Sequence, residues 1–151
     1  MKKPFIIKNH IIMSAAFPWI LRRAHLKVTP GRLAVMGFFG KHSEPASAEQ
    51  IFAVLKSKSN IDQTTVYRTV ASFEKAGIIK RIDLRTGAVL YEMQRRHHHH
   101  LVCVKCGLVE DVEMCGIEDA SKKILKQSKK FGSIKEHSLE LFGLCKACEK
   151  R

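Results

Sequence analysis

Two cysteine pairs set the strongest condition on how this chain folds: Cys103-x-x-Cys106 and Cys145-x-x-Cys148. Each pair has the spacing at which two thiolates hold one metal ion, and together the four supply a complete tetrahedral zinc shell. Two segments distant in sequence must then meet. With every position taken by protein, such a zinc is structural, and its binding energy becomes folding energy. Disulfides or two redox pairs could use the same residues, but neither pair has thioredoxin-like surroundings. A thiolate site in a reducing, cytoplasmic compartment is therefore expected. Cys115 is left over and is read as a lone buried or idle thiol.

The beginning, MKKPFIIKNHIIMSAAFPWILRR, imitates a secretory signal poorly. Lys8, Asn9 and His10 interrupt its first apolar run, Pro18 is read as breaking the second, and Arg22-Arg23 follow. No stretch reaches the roughly 20 apolar residues of a membrane span. Residues 1–23 are expected to form an N-terminal extension, ragged up to residue 12, with Met13 a candidate start.

A chain of 151 residues suits one ordinary domain or two small ones with thin cores. The charge divides it. Residues 1–96 hold 17 Lys and Arg against 6 Asp and Glu, whereas residues 97–151 hold 10 against 8. A basic segment of that size points to a polyanion, nucleic acid before membrane surface, because each neutralised phosphate releases counterions.

The basic part reads as three helices and a hairpin. Thr29 caps the first helix, Pro30 suits its first position, and Gly40 stops it. Ser47-Ala48-Glu49-Gln50 is a capping box opening the second. Asp62 caps a third that closes at Gly77, with Val66, Val70 and Phe73 as its buried stripe. Thr64, Thr65, Tyr67 and Arg68 are left mostly on the other face. IIKRIDL and AVLYEM are then two strands joined at a turn containing Gly87. This predicts an α+β protein whose residues 24–94 form a winged helix-turn-helix, the third helix entering the major groove. Lys80, Arg81 and Arg85 of the hairpin would approach the phosphates.

After a hinge at residues 95–96, residues 97–151 read as a small α+β unit. HLVCV and LVEDVEM are short strands, IEDASKKILKQSKKF is an amphipathic helix carried by Ile117, Ala120, Ile124, Leu125 and Phe131, and HSLELF is a further strand. It has little apolar material and is expected to be completed by zinc and by a second copy of the chain.

Four consecutive histidines, His97 to His100, run directly into the first zinc-binding strand. Side chains alternate along an extended chain, so His97 and His99 face one way and His98 and His100 the other. One run can serve two metal sites. Imidazole suits zinc, iron, nickel and copper, and carboxylates would complete such sites. Glu92, Asp111, Glu118 and His137 are the candidates near this strand.

The segments LKVTPGRLAVM, SAEQIF, TTVYRTVASFEKAGII, HHHHLVCVKCGLVEDV and HSLELFGLCKAC together resemble the ferric uptake regulator family, over about residues 24 to 148. The resemblance implies a metal-responsive, dimeric DNA-binding repressor that recognises a palindromic operator and controls metal-homeostasis genes. It places a structural Zn²⁺ on Cys103, Cys106, Cys145 and Cys148. It implies a regulatory hinge site for Fe²⁺ or Zn²⁺, with Mn²⁺ a further candidate, on Glu92, His98, His100 and Asp111. A dimerisation-domain site would fall on His97, His99, Glu118 and His137. The family's usual histidine before x-S-A is replaced here by Pro45, leaving His42 or Glu44 as substitutes or a four-ligand site. A peroxide sensor of the same family is the alternative. A zinc-dependent hydrolase is disfavoured because no H-E-x-x-H spacing occurs, and the reading is that the protein is not an enzyme.

Overall fold

In this computed structural model the described residues are 14–150 apart from Thr86, Arg95, Arg96 and Met114, with only the backbone of Glu118. The architecture is α+β, and the chain divides into two compact units, residues 1–96 and 97–151.

The first unit opens with α1 (Phe17–Arg23), followed by α2 (Pro30–Lys41), α3 (Ala48–Leu55), α4 (Gln63–Lys75) and the strands β1 (Ile79–Ile82) and β2 (Leu90–Met93). The starts of α2, α3 and α4 are set by side chains. Thr29 Oγ1 accepts from the Arg32 N–H at 3.3 Å, and Ser47 and Gln50 cap each other reciprocally at 3.2 and 2.8 Å. Asp62 accepts from the Thr65 N–H at 2.8 Å. Helix α4 ends in a glycine turn: Gly77 has φ +69°, and the Ile78 N–H reaches back to the Phe73 carbonyl at 2.9 Å. Only glycine adopts that conformation freely. Helices α2 and α4 pass so closely that a Cβ on Gly31 would lie 2.8 Å from Thr65 Cγ2.

The core gathers Val35, Met36, Ile51, Val66 and Phe73, all fully buried, beneath the β1–β2 hairpin. Helix α1, expected to lie in the N-terminal extension, packs into this core. Phe17, Ile20 and Leu21 are buried in it, at 6, 2 and 0 % exposure. Pro18, read as a breaker, stands in the first turn of α1, where a missing N–H costs nothing. Residues 1–13 lie outside the described residues, as do the expected hinge positions Arg95 and Arg96.

In the second unit β3 (His99–Cys103) is central in a three-stranded sheet, antiparallel to β4 (Val109–Val112) and parallel to β5 (Glu140–Gly143). Helix α5 (Ile117–Gln127) precedes β5 and the short α6 (Lys146–Glu149) follows it. The expected helix stops four residues early. Ser128 is extended and its Oγ accepts from the N–H groups of Lys130 and Phe131 at 3.3 and 3.0 Å, a local alternative to another helical turn. Phe131 is consequently 72 % exposed rather than part of an apolar stripe. Leu101, Ile124, Leu141 and Leu144 are also exposed, and Leu101 and Leu141 stand side by side in the β3–β5 register.

Candidate metal centres and nucleic-acid face

The turn after β3 and the start of α6 bring the two cysteine pairs together. The Sγ atoms of Cys103, Cys106, Cys145 and Cys148 lie within 4.8 Å of one another, those of Cys106 and Cys145 at 3.7 Å. Two sulfurs about 2.3 Å from a tetrahedral centre would be about 3.8 Å apart, so the donor set fits Zn²⁺ in type, number and spacing. The backbone primes one member. The Cys145 N–H, donating to Cys103 Sγ at 3.3 Å, and the Cys106 N–H hold the Cys103 thiol down at about 6. Cys148 is pushed up to about 12, first by its hydrogen bond with Cys145 and then by burial. Four crowded sulfurs cannot all carry charge unaided, and a divalent cation reverses that penalty.

The histidine run alternates as the extended chain requires. On one side His97 Nε2 and His99 Nε2 are 3.0 Å apart, and the His137 ring stands 4.5 Å from that of His97. On the other side the rings of His98 and His100 are 5.0 Å apart, and His100 Nε2 is 3.7 Å from Asp111 Oδ1, its cross-strand neighbour on β4. His98, His99 and His100 are all buried.

The fourth member beside His97, His99 and His137 is Cys115. Its Sγ is 3.4 Å from His137 Nε2, and the four donor atoms lie within 4.8 Å of one another. The turn from β4 into α5 delivers the Cys115 thiol to the histidines, so the thiol does not stand alone. Its place three residues before Glu118 was the available signal. The Glu118 side chain lies outside the described residues.

Glu92, in the first unit, is buried on β2 with its carboxylate 2.9 Å from Lys80 Nζ, directly across the hairpin. Lys80, one of the residues expected to meet phosphate, therefore already has an anionic partner. Near Pro45, Ala46 pairs with Tyr91 of β2 through two 2.9 Å hydrogen bonds. His42 stacks on Phe38 with ring centroids 4.4 Å apart.

On α4 the residues expected to read nucleic acid divide into two kinds. Thr64, Tyr67 and Arg68 are exposed. Thr65 is half-buried, its hydroxyl donating to Asp62 Oδ2 at 2.6 Å as part of the cap. The Tyr67 hydroxyl donates to the Glu49 carboxylate of α3, which lowers the pKa of Glu49 and raises that of Tyr67. Arg81 and Arg85 on the hairpin are exposed. No helix among the described residues is long and apolar enough to cross a membrane.

A family model described as the ferric uptake regulator family matches residues 23–142. The chain belongs to the ferric uptake regulator family. It is 37 % identical over 134 residues to the ferric uptake regulation protein of Neisseria gonorrhoeae, covering 87 % of this chain and 92 % of that one. Among solved structures it resembles the ferric uptake regulator of Francisella tularensis with iron, at 35 % identity and a TM-score of 0.70, covering 82 % of this chain and 95 % of the other. It also resembles the Vibrio cholerae ferric uptake regulator, whose structure reveals rearrangement of the DNA-binding domains, at 34 % identity and a TM-score of 0.72, covering 85 and 98 %. Helix α1 lies almost wholly before the residues that the family model matches.

Proposed function

We propose that this protein is a metal-dependent transcriptional regulator, a repressor acting as a cytoplasmic homodimer on a palindromic operator in double-stranded DNA. What carries the reading is membership of the ferric uptake regulator family in a chain that also gathers the donors for metal. Residues 24–94 would be the winged helix-turn-helix and residues 97–151 the dimerisation unit. The exposed Leu101, Ile124 and Leu141 of that unit supply the apolar surface a second copy would cover.

A structural Zn²⁺ would be held by Cys103, Cys106, Cys145 and Cys148. The regulatory metal, Fe²⁺ or Zn²⁺ with Mn²⁺ a third candidate, would be held by His98, His100 and Asp111 together with Glu92. The iron in the Francisella relative supports Fe²⁺. His97, His99 and His137, with Glu118 by family resemblance, would hold a further metal. On the DNA, Thr64, Tyr67 and Arg68 would meet base edges and backbone, Thr65 would fix the helix start, and Arg81, Arg85 and Lys80 would serve the phosphates.

A metal that draws ligands from both units favours one arrangement of them. The gain in DNA affinity is then limited to the metal's differential affinity for that arrangement. Replacing His98 and His100 together by Ala is expected to abolish the metal response of operator binding in a fluorescence titration. The zinc in the cysteine site should remain. An unchanged metal response would overturn the assignment of the regulatory site.

A further inference from the structure

The Cys115 thiol stands where a metal ligand would, beside three histidines that arrive from two other segments of the second unit. His97 and His99 come from the entry to β3, His137 from the segment before β5, and Cys115 from the turn before α5. Around a tetrahedral metal, two imidazole nitrogens lie about 3.3 Å apart and a nitrogen and a sulfur about 3.6 Å. The 3.0 Å between His97 Nε2 and His99 Nε2, and the 3.4 Å between His137 Nε2 and Cys115 Sγ, are close to two edges of such a figure.

We propose that Cys115, in place of the Glu118 that the family resemblance implies, is the fourth ligand of the second metal site in this unit, so that the site is a three-histidine, one-thiolate centre. The inference rests on the reading of His97, His99 and His137 as metal ligands and goes beyond it in the chemistry of the fourth donor. A thiolate changes what the site accepts. Three imidazoles and a carboxylate admit Mn²⁺ and Fe²⁺ readily, whereas three imidazoles and a sulfur favour Zn²⁺ and Co²⁺ over Mn²⁺. Binding displaces the thiol proton into solvent, so one proton leaves with each metal bound.

The test uses the full-length protein with zinc in its cysteine site and the regulatory site disabled by His98→Ala and His100→Ala. Co²⁺ is added as the probe. The expected result is one equivalent of tetrahedral Co²⁺ with a near-ultraviolet sulfur-to-cobalt charge-transfer band. That band disappears in the further variant Cys115→Ser, and Co²⁺ affinity falls by roughly 100-fold or more, at least the loss typical of an outer-shell partner. Cobalt binding without a sulfur band would overturn the Cys115 proposal and leave the three-histidine site standing. No binding at all would overturn both. Should Cys115→Ser fold poorly, maleimide labelling of the unsubstituted thiol provides the second readout. Cys115 is labelled without Co²⁺ and protected by one equivalent of it, and labelling indifferent to Co²⁺ contradicts ligation.

Discussion

Asp62 holds the start of α4 through two bonds to Thr65, and its protonation state governs both. The Thr65 hydroxyl, then the Thr65 N–H, lower its pKa below the ordinary value. A carboxyl whose pKa is depressed in the folded state contributes stability that is fully present above its unfolded pKa, about 4, and is lost as the pH falls through the folded one. The melting-temperature difference between wild type and Asp62→Ala is therefore expected to be constant near neutrality and to shrink in acid. A difference that held or grew below that range would contradict the cap. Cys103→Ser acts at the same scale through the metal. It should lower the zinc content of the purified protein and its thermal stability together, because the lost ligand takes folding energy with it. A variant with full zinc and an unchanged melting curve would exclude the four-thiolate site. Cys103, Cys106, Cys145 and Cys148 were legible because two Cys-x-x-Cys pairs carry the spacing that a tetrahedral metal requires. Cys115 was harder to read, since its one signal is its place three residues before Glu118 and its histidine partners arrive only through the turn between β4 and α5.

At the level of elements, legibility followed the punctuation. Helices α2, α3 and α4 each begin at a side-chain cap, and Thr29, Ser47 and Asp62 announce those starts in sequence as they make them in the fold. Helix α1 follows Ala16, which offers no side-chain cap, so only tertiary burial of Phe17, Ile20 and Leu21 defines it. The end of α5 failed for a related reason: nothing in the apolar pattern reveals that Ser128 will capture the next two N–H groups. Leu21→Ala measures how far α1 belongs to the core. Leu21 is fully buried, and the truncation is expected to cost about 2–5 kcal/mol in denaturant unfolding. A cost near zero would return residues 17–23 to the status of an appendage.

Across the whole molecule the charge and the donor atoms are unevenly distributed. Residues 1–96 carry most of the excess positive charge, and residues 97–151 carry all five cysteines and the histidine run. A regulator of the kind proposed needs that division, with phosphate affinity in one unit and metal affinity concentrated in the other. The division could be read from the sequence, as could the alternation of the histidines, because both depend on local periodicity. The Lys80–Glu92 and Tyr67–Glu49 pairs could not, since they join residues that only the fold makes neighbours. The central claim is that metal controls DNA binding. Its most direct test is fluorescence anisotropy of a DNA fragment from upstream of the protein's own gene. The protein would keep its cysteine-bound zinc and be titrated anaerobically with Fe²⁺, Zn²⁺ and Mn²⁺ in turn. One of these metals is expected to tighten binding by roughly 5–150-fold, the usual range of such coupling. Equal affinity with and without each metal would contradict it.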